Sequence, residues 1–190
     1  MEDKIIKDAI AYIEALFDGN AGGHDTGHTI RVYRKAMQIA ERENGCDRRI
    51  VALAALLHDA DDYKLFDTKD NENARSFLQS HDVPDEQTDL ICNVINSVSF
   101  SKNRDRSPDT IEGMIVQDAD RLDAMGAIGI ARTFAYGGEH GRALEQSVQH
   151  FYDKLLLLKD EMNTETAKEI AEKRHLFLEN YLAELRNEIE

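Results

Sequence analysis

The longest apolar run of the sequence ends in two residues that can bind a metal or move a proton. Residues 50–57 are all hydrophobic, and His58 and Asp59 follow them directly. A helix this apolar is expected to be buried, and burying an imidazole or a carboxylate is costly unless it has a partner. One interpretation is an ordinary helix end, where His58 binds the last carbonyls and Asp59 caps the next turn. The other is a metal site. Adjacent helical positions diverge by about 100°, so an ion contacts both residues only near a helix end, with ligands from other helices.

Two further segments contain residues that can complete such a site. His28 lies in the first turn of a predicted helix, and Asp120 interrupts an otherwise apolar helical stretch. Taken singly, His28 is also explained as a half-buried histidine with a hydrogen-bond partner, and Asp120 as the ion-pair partner of an arginine. With His58 and Asp59 they offer two imidazoles and two carboxylates. A six-coordinate divalent ion held by these four keeps two positions for water and a phosphate oxygen, and the carboxylates neutralise its charge.

The order and the flanking residues of these segments resemble the HD-domain superfamily of metal-dependent phosphohydrolases. The resemblance covers about residues 20–140, and the flanking residues look like a subgroup of small bacterial HD hydrolases. The resembling segments are Gly23-His24-Asp25 before His28, "ALLHD" at 55–59 with Asp62 and Lys64 just after it, and "QDADRLDAMGAIGIARTF" at 117–134.

The resemblance implies a compact helical bundle with one mononuclear metal site, whose ligands are His28, His58, Asp59 and Asp120. The superfamily hydrolyses phosphate esters and anhydrides with a divalent metal, and some members of the resembling subgroup split nucleoside triphosphates into monophosphate and pyrophosphate. The Gly-Tyr-Pro triplet of the cyclic-dinucleotide phosphodiesterases is absent from the sequence, and the extra histidines typical of binuclear members are not found. We therefore expect one divalent ion, and the ligand types leave open manganese, iron, cobalt, nickel, magnesium and zinc.

Hydrolysis also needs a group that moves a proton and cations that bind phosphate. Asp62, three residues past Asp59, is the candidate for the acid or base, and Asp61 is the alternative. Related nucleotidases carry a catalytic acidic residue at the position of Asp62. Lys64 is the first candidate for phosphate binding and catalysis, and Arg31, in the predicted second helix, is the second.

Two other basic positions are candidates for substrate binding. Arg121 follows Asp120 directly and can either bind phosphate or pair with Asp118, three residues earlier. Lys102 belongs to a basic segment, 102–106, that suits a triphosphate tail, although such a run is also typical of a solvated loop.

Together these residues predict a metal-dependent phosphohydrolase that acts on nucleotides. The expected reaction converts a nucleoside triphosphate to monophosphate and pyrophosphate by a metal-activated water. The alternatives are a 5'-nucleotidase-type phosphomonoesterase, a non-catalytic helical module that binds a nucleotide or metal, and oxygen chemistry at a di-iron site. The sequence does not determine the base, the sugar or the bond that is cut.

Helical periodicity dominates the chain and predicts a single all-α domain, residues 1–190, built as a compact helical bundle. The C-terminal helices, 144–189, are expected to pack on the same core as the rest. The innermost residues are expected to include Leu90 and, on the last helix, Ile170, Phe177, Tyr181 and Leu185. The predicted helices are a first one ending before Gly19, then 26–43 capped by Asp25 or Thr26, 48–58, 71–80, one whose first turn contains Pro84, a long helical stretch over 108–136, 144–161 and 164–189. Within 108–136, Gly126 and Gly129 indicate either a close helix contact or a bend.

The charge of the chain limits the classes of partner. Its 37 acidic and 23 basic residues give a formal net charge of −14, which repels nucleic acid polymers and anionic membranes. A bound cation can invert this field locally and admit a small phosphorylated substrate such as a nucleotide. The acidic N-terminus shows no signal segment, and two cysteines without metal-finger spacing predict a reducing, cytoplasmic compartment. A homo-oligomer remains open.

Overall fold

Helices are the regular structure of residues 4–19, 25–98 and 106–189, which the computed structural model describes, and these ranges contain no strand. The all-α class predicted from the sequence is confirmed. Between α8 and α9 lie a π-helical turn, Phe151–Leu155, and a 3₁₀ turn, Leu157–Glu161. None of the helices in these ranges is long and apolar enough to cross a membrane. The α-helices are α1 (Lys4–Leu16), α2 (Thr26–Ala40), α3 (Arg48–Leu57), α4 (Glu72–Ser80), α5 (Asp85–Val98), α6 (Ile111–Asp123), α7 (Gly126–Glu139), α8 (Leu144–His150) and α9 (Glu165–Ile189).

The backbone contacts divide the chain into two compact units, Met1–Ala119 and Asp120–Glu190. The division falls inside α6, so this helix begins in the first unit and ends in the second. The packing of the C-terminal helices on the same core as the rest stays a prediction.

In the first unit, α3 is the central helix, and α1, α2 and α5 all pack against it. Every residue from Val51 to Leu57 is buried, as the apolar sequence of this helix predicts. The helix begins at Asp47, whose side chain accepts hydrogen bonds from the backbone N–H groups of Arg49 and Ile50. The helix ends directly before His58, so His58 lies at the end of the buried helix.

On α5, the predicted inner face is wrong at one position. Leu90 is 45% exposed, whereas Thr88 is buried and donates from its hydroxyl to the carbonyl of Val83. Because this hydrogen bond to the backbone just before α5 satisfies the hydroxyl, a polar residue can occupy the inner face. The buried positions of α5 are Thr88, Ile91, Cys92, Val94, Ile95 and Val98.

The single helix predicted over 108–136 is broken in the structure. The first part, α6, begins only at Ile111 and ends at Asp123, and α7 begins at Gly126, whose φ of +70° lies in the left-handed region that favours glycine. Ala127 therefore belongs to a different helix from Asp120. The break matters because it places Asp120 in the last turn of α6.

In the second unit, α7 packs against α8 and α9. The ring of Phe134 lies with its centre 5.7 Å from that of Phe151 and 6.2 Å from that of Tyr181. The regular helix predicted over 144–161 ends at His150. After it, the backbone N–H of Leu156 donates to the carbonyl of Phe151, five residues earlier, which is the hydrogen bond of a π turn. The 3₁₀ turn follows this π turn.

The inner stripe predicted for α9 is wrong at Phe177, whereas Ile170, Tyr181 and Leu185 are half-buried. Phe177 is 51% exposed, and its neighbour Leu178 is fully buried. The contact face of α9 is shifted because small residues, Ala167 and Ala171, occupy it at the N-terminal end and allow close packing. The buried positions of α9 are Thr166, Ala167, Ala171, Leu178 and Leu182.

The turn between α6 and α7 yields a stability prediction. A Cβ added to Gly129 would lie 2.2 Å from the carbonyl oxygen of Ala124, so Gly129→Ala should lower the free energy of unfolding by more than about 2 kcal/mol. Gly138 is exposed in the same helix, and an added Cβ meets no atom within 4 Å. Gly138→Ala should be neutral or stabilise by up to about 1 kcal/mol. Urea unfolding followed by circular dichroism measures the stability of both variants. Equal unfolding midpoints for the two would contradict the close approach of Gly129 to Ala124.

Candidate metal centre

The N-terminus of α2 places His28. Asp25 caps the helix, and its Oδ1 accepts the backbone N–H of His28 at 2.6 Å. Gly27 permits this close approach, because a Cβ at that position would lie 3.0 Å from the same carboxylate oxygen. The predicted cap at Asp25 is confirmed, and His28, only 2% exposed, is held in the first turn of the helix.

The C-terminus of α3 places His58 and orients its ring. His58 caps the helix, and its Nδ1 lies 2.9 Å from the carbonyl oxygen of Ala55, one of the last carbonyls of α3. A carbonyl oxygen only accepts, so Nδ1 carries the proton of this bond and the neutral ring presents the lone pair of Nε2 on its other side. The prediction that His58 binds one of the last carbonyls of its helix is therefore confirmed for Nδ1, and Nε2 lies on the other side of the ring.

Three donor atoms converge in front of these helix ends. The Nε2 atoms of His28 and His58 lie 3.3 Å apart, and Oδ2 of Asp59 lies 3.4 Å from the first and 3.3 Å from the second. At most 9% of each of these side chains is exposed. With a neutral His58, the contact between its Nε2 and the ionised carboxylate joins two acceptors, which is unfavourable unless a proton or a cation lies between them.

Asp120, the fourth predicted ligand, is the first residue of the second unit, and it lies in α6, whose earlier turns belong to the first unit. The structure brings three of the predicted ligands, His28, His58 and Asp59, together within the first unit. The role of Asp120 as the fourth ligand stays a prediction.

The separations of these donors fit one six-coordinate divalent ion. Ligands about 2.1 Å from such an ion lie about 3.0 Å apart when adjacent and about 4.2 Å apart when opposite. The three measured separations of 3.3–3.4 Å are close to the adjacent value. The set of two imidazoles and two carboxylates, without sulfur, suits manganese, iron, cobalt, nickel, magnesium or zinc.

The two acidic residues after this ligand pair have different surroundings. Both oxygens of Asp61 accept backbone N–H groups at the start of α4, from Asn73 at 2.9 Å and from Ala74 at 3.0 Å. Asp62 is half-buried, and its Oδ1 accepts the backbone N–H of Lys64 at 2.8 Å. Asp61 is therefore a cap that ties α4 to the turn, and Asp62 lies on the turn itself.

Two residues that sequence analysis missed support the same turn. The side-chain amide of Asn73 donates to the carbonyl of Ala60 at 2.7 Å, and the Tyr12 hydroxyl lies 3.4 Å from the carbonyl oxygen of Asn73, to which it donates. Burial first, and then the negative charge of Asp61, raises the pKa of Tyr12, which keeps its hydroxyl protonated as a donor. No local pattern identifies either residue, because their partners are distant in sequence.

Two of the predicted phosphate-binding cations lie on the elements that carry the ligands. Lys64 is exposed, and its Nζ lies 5.8 Å from the ring centre of Tyr63, which is 65% exposed. Arg31 is half-buried on α2, and one of its guanidinium nitrogens lies 3.3 Å from the position that a Cβ on Gly27 would take. Its side chain therefore folds back toward the N-terminus of α2, the end that carries His28.

Arg121 is placed differently from these two. It is 4% exposed, its Nη1 donates to the backbone carbonyl of Glu161, and its Nη2 lies 3.7 Å from the Glu161 carboxylate. The sequence suggested Asp118 as its acidic partner, whereas the contact described here is with the 3₁₀ turn. Lys102 lies outside the described residues, so its role stays a prediction.

Comparison with known proteins gives concordant results. A sequence model of the HD domain matches residues 26–125. The protein YpgQ of Bacillus subtilis is 42% identical over an alignment of 189 positions that covers 94% of this chain and 90% of that protein. A crystal structure of YpgQ in complex with ADP has a TM-score of 0.84 at 40% identity and covers 97% of both chains. An HD-superfamily hydrolase from Bacillus thuringiensis has a TM-score of 0.81 at 39% identity, covering 96% of this chain and 95% of that one.

The geometry predicts that the centre binds a metal through His58. Loss of a supporting residue around a metal costs about 10- to 100-fold in affinity, so His58→Ala should weaken Mn²⁺ binding by more than about 100-fold. His140 is a matched control, because it caps α7 in the same way, with Nδ1 2.9 Å from the carbonyl oxygen of Tyr136. Titration of metal-stripped protein with Mn²⁺, followed by electron paramagnetic resonance, measures both variants. Equal affinities would exclude His58 as a ligand.

Proposed function

Because this chain belongs to the HD-domain family, we propose that it is a divalent-metal-dependent phosphohydrolase that acts on nucleotides. The observation that carries the proposal is the convergence of His28, His58 and Asp59, whose three donor atoms lie 3.3–3.4 Å apart. When bound, the metal supplies positive charge that polarises a phosphoryl oxygen and lowers the pKa of a coordinated water toward neutrality.

Asp62 is the proposed group that moves the proton. Both oxygens of Asp61 accept backbone N–H groups at the start of α4, which gives Asp61 a structural role. The backbone N–H of Asp62 also donates to the carbonyl of Asp59 at 3.1 Å, which holds both carboxylates in one turn. In this role Asp62 takes a proton from the attacking water or returns one to the leaving oxygen.

Lys64 and Arg31 are the proposed phosphate-binding cations. Two carboxylate ligands cancel the charge of a divalent ion, so the remaining negative charge of a nucleotide needs cations from the chain. Lys64 is exposed two residues past Asp62, and Arg31 folds toward the N-terminus of α2, where the helix dipole is also positive. The chain as a whole carries a net charge of −14, so such a local cluster is required to hold an anion.

A nucleotide is the substrate class that the comparisons support, since the related YpgQ forms a complex with ADP. The proposed reaction splits a nucleoside triphosphate into monophosphate and pyrophosphate. Water attacks the α-phosphorus, the bond from that phosphorus to the bridging oxygen breaks, and pyrophosphate leaves. The proton lost by the water passes to Asp62 and then to solvent or to the leaving group.

The first experiment is product analysis with metal-stripped protein. We would incubate each ribo- and deoxyribonucleoside triphosphate and monophosphate with the protein, with and without Mn²⁺, beside Asp59→Asn. We expect monophosphate plus pyrophosphate only with metal and wild-type protein, because Asp59 is one of the converging donors. Ion-exchange chromatography separates the products.

Other outcomes of that experiment have defined meanings. Nucleoside plus phosphate from monophosphates would show a 5'-nucleotidase that uses the same centre. Binding of nucleotide and Mn²⁺ without turnover of any substrate would favour the non-catalytic module, and undiminished turnover by Asp59→Asn would contradict the proposed centre.

The contrast between Asp62 and Asp61 gives a second test. Asp62→Asn keeps the acceptor for the Lys64 backbone but cannot take a proton, so kcat should fall by about 10²- to 10⁴-fold with little change in stability. Asp61→Asn loses one of two acceptors for α4 and should cost about 1 kcal/mol of stability with kcat nearly unchanged. Steady-state kinetics and urea unfolding measure both variants. The opposite pattern would move the proton-transfer role to Asp61.

A further inference from the structure

Three guanidinium groups hold the residues that follow Asp120 in α6. Arg121 donates to the carbonyl of Glu161, Arg174 of α9 donates to the carbonyl of Leu122, and Arg132 of α7 lies 2.5 Å from the carboxylate of Asp123. Each contact joins α6 to a different element of the second unit. The helix end is thereby fixed at three consecutive residues.

These contacts are buried, which makes them specific. Arg121 is 4% exposed and Asp123 is 6% exposed. Arg174 is half-buried, and this burial lowers the pKa of its guanidinium. A cation that donates to the last carbonyls of a helix also compensates the negative end of the helix dipole. The end of α6 therefore has one strongly preferred position.

The position of Asp120 follows from that of Arg121. Consecutive residues of a helix are related by a rotation of about 100° and a rise of about 1.5 Å. When Arg121 is held against Glu161, the direction of the Asp120 side chain is fixed about 100° away from it. A shift of the helix end therefore moves the carboxylate of Asp120, the predicted fourth ligand of the metal.

We propose that Arg121 and Glu161 are positioning residues for the metal ligand Asp120, an inference that rests on the metal centre proposed above. Glu161 lies outside residues 26–125, the part of the chain that matches the HD-domain model. The pair gives Arg121 a role other than phosphate binding, because its guanidinium faces Glu161 and only 4% of the residue is exposed. The segment after α8 thus contributes to the centre without supplying a ligand.

The test is the affinity of the metal-stripped full-length protein for Mn²⁺, with Co²⁺ as a second probe. Arg121→Lys keeps the charge but loses the forked geometry, and Glu161→Gln keeps the backbone acceptor but loses the carboxylate. Each should weaken Mn²⁺ binding by about 10- to 100-fold, the effect typical of residues that orient a ligand. Each should also alter the absorption spectrum of bound Co²⁺, because the spectrum reports the arrangement of the ligands. If Arg121→Lys does not fold, the Mn²⁺ affinity and the Co²⁺ spectrum of Glu161→Gln alone test the positioning role.

Lys159→Gln is the matched control. Lys159 belongs to the same 3₁₀ turn as Glu161, and its ion pair with Glu172 of α9 has an N···O distance of 3.9 Å. It makes no described contact with α6, so its loss should leave Mn²⁺ affinity and the Co²⁺ spectrum unchanged.

The outcomes separate this inference from the proposed function. Folded Arg121 and Glu161 variants with wild-type affinity and spectrum would overturn the positioning role alone. A wild-type protein that binds neither Mn²⁺ nor Co²⁺ would overturn the metal centre and the positioning role together. Weakened binding in the two variants of a protein that hydrolyses no nucleotide would support the positioning role and contradict only the reaction.

Discussion

The close approach of two imidazole nitrogens and one carboxylate oxygen is the constraint on which the rest of the proposed site depends. Like acceptors repel, so the chain must hold them together by other interactions. The backbone N–H of His28 is bound by the Asp25 cap, Nδ1 of His58 by the carbonyl of Ala55, and Asp59 lies in the turn that α4 ties down. All three restraints involve a helix terminus, where backbone groups lack partners within the helix. The unsatisfied ends of helices are thus what orient the ligands.

A ligand at the end of a helix has a weakness that a ligand in its middle does not have. The last turn of a helix frays most easily, and Asp120 lies in the last turn of α6 because the helix breaks before Gly126. The left-handed backbone at Gly126 and the tight approach of Gly129 to Ala124 make this break specific. The arginine contacts after Asp120 oppose fraying at the same place. The helix break and the arginine contacts therefore both fix the position of the end of α6.

The sequence predicted the elements whose signals are local. The cap at Asp25, the end of α3 before His58 and the all-α class follow from residue types within a few positions of one another. The break after α6 did not follow, because glycines in an apolar stretch are equally compatible with close helix packing. Phe177 was placed inside by periodicity, although alanines one residue out of phase made the contact face of α9. Glu161 was not found at all, since its partner is forty positions away and no local pattern links them.

For the proposed reaction, the charge of the protein makes nucleotide binding depend on the bound metal. With a net charge of −14, the chain repels a nucleotide at long range, and screening confines this repulsion to roughly 10 Å at moderate salt. Within that distance, the balance between attraction and repulsion of the phosphates depends on a few charged groups. Two carboxylate ligands neutralise a divalent ion, so attraction for the phosphates must come from the ion's open positions and from cations such as Lys64 and Arg31. Without the ion, the same carboxylates add to the repulsion. In the proposed site, metal binding and nucleotide binding are therefore coupled by electrostatics.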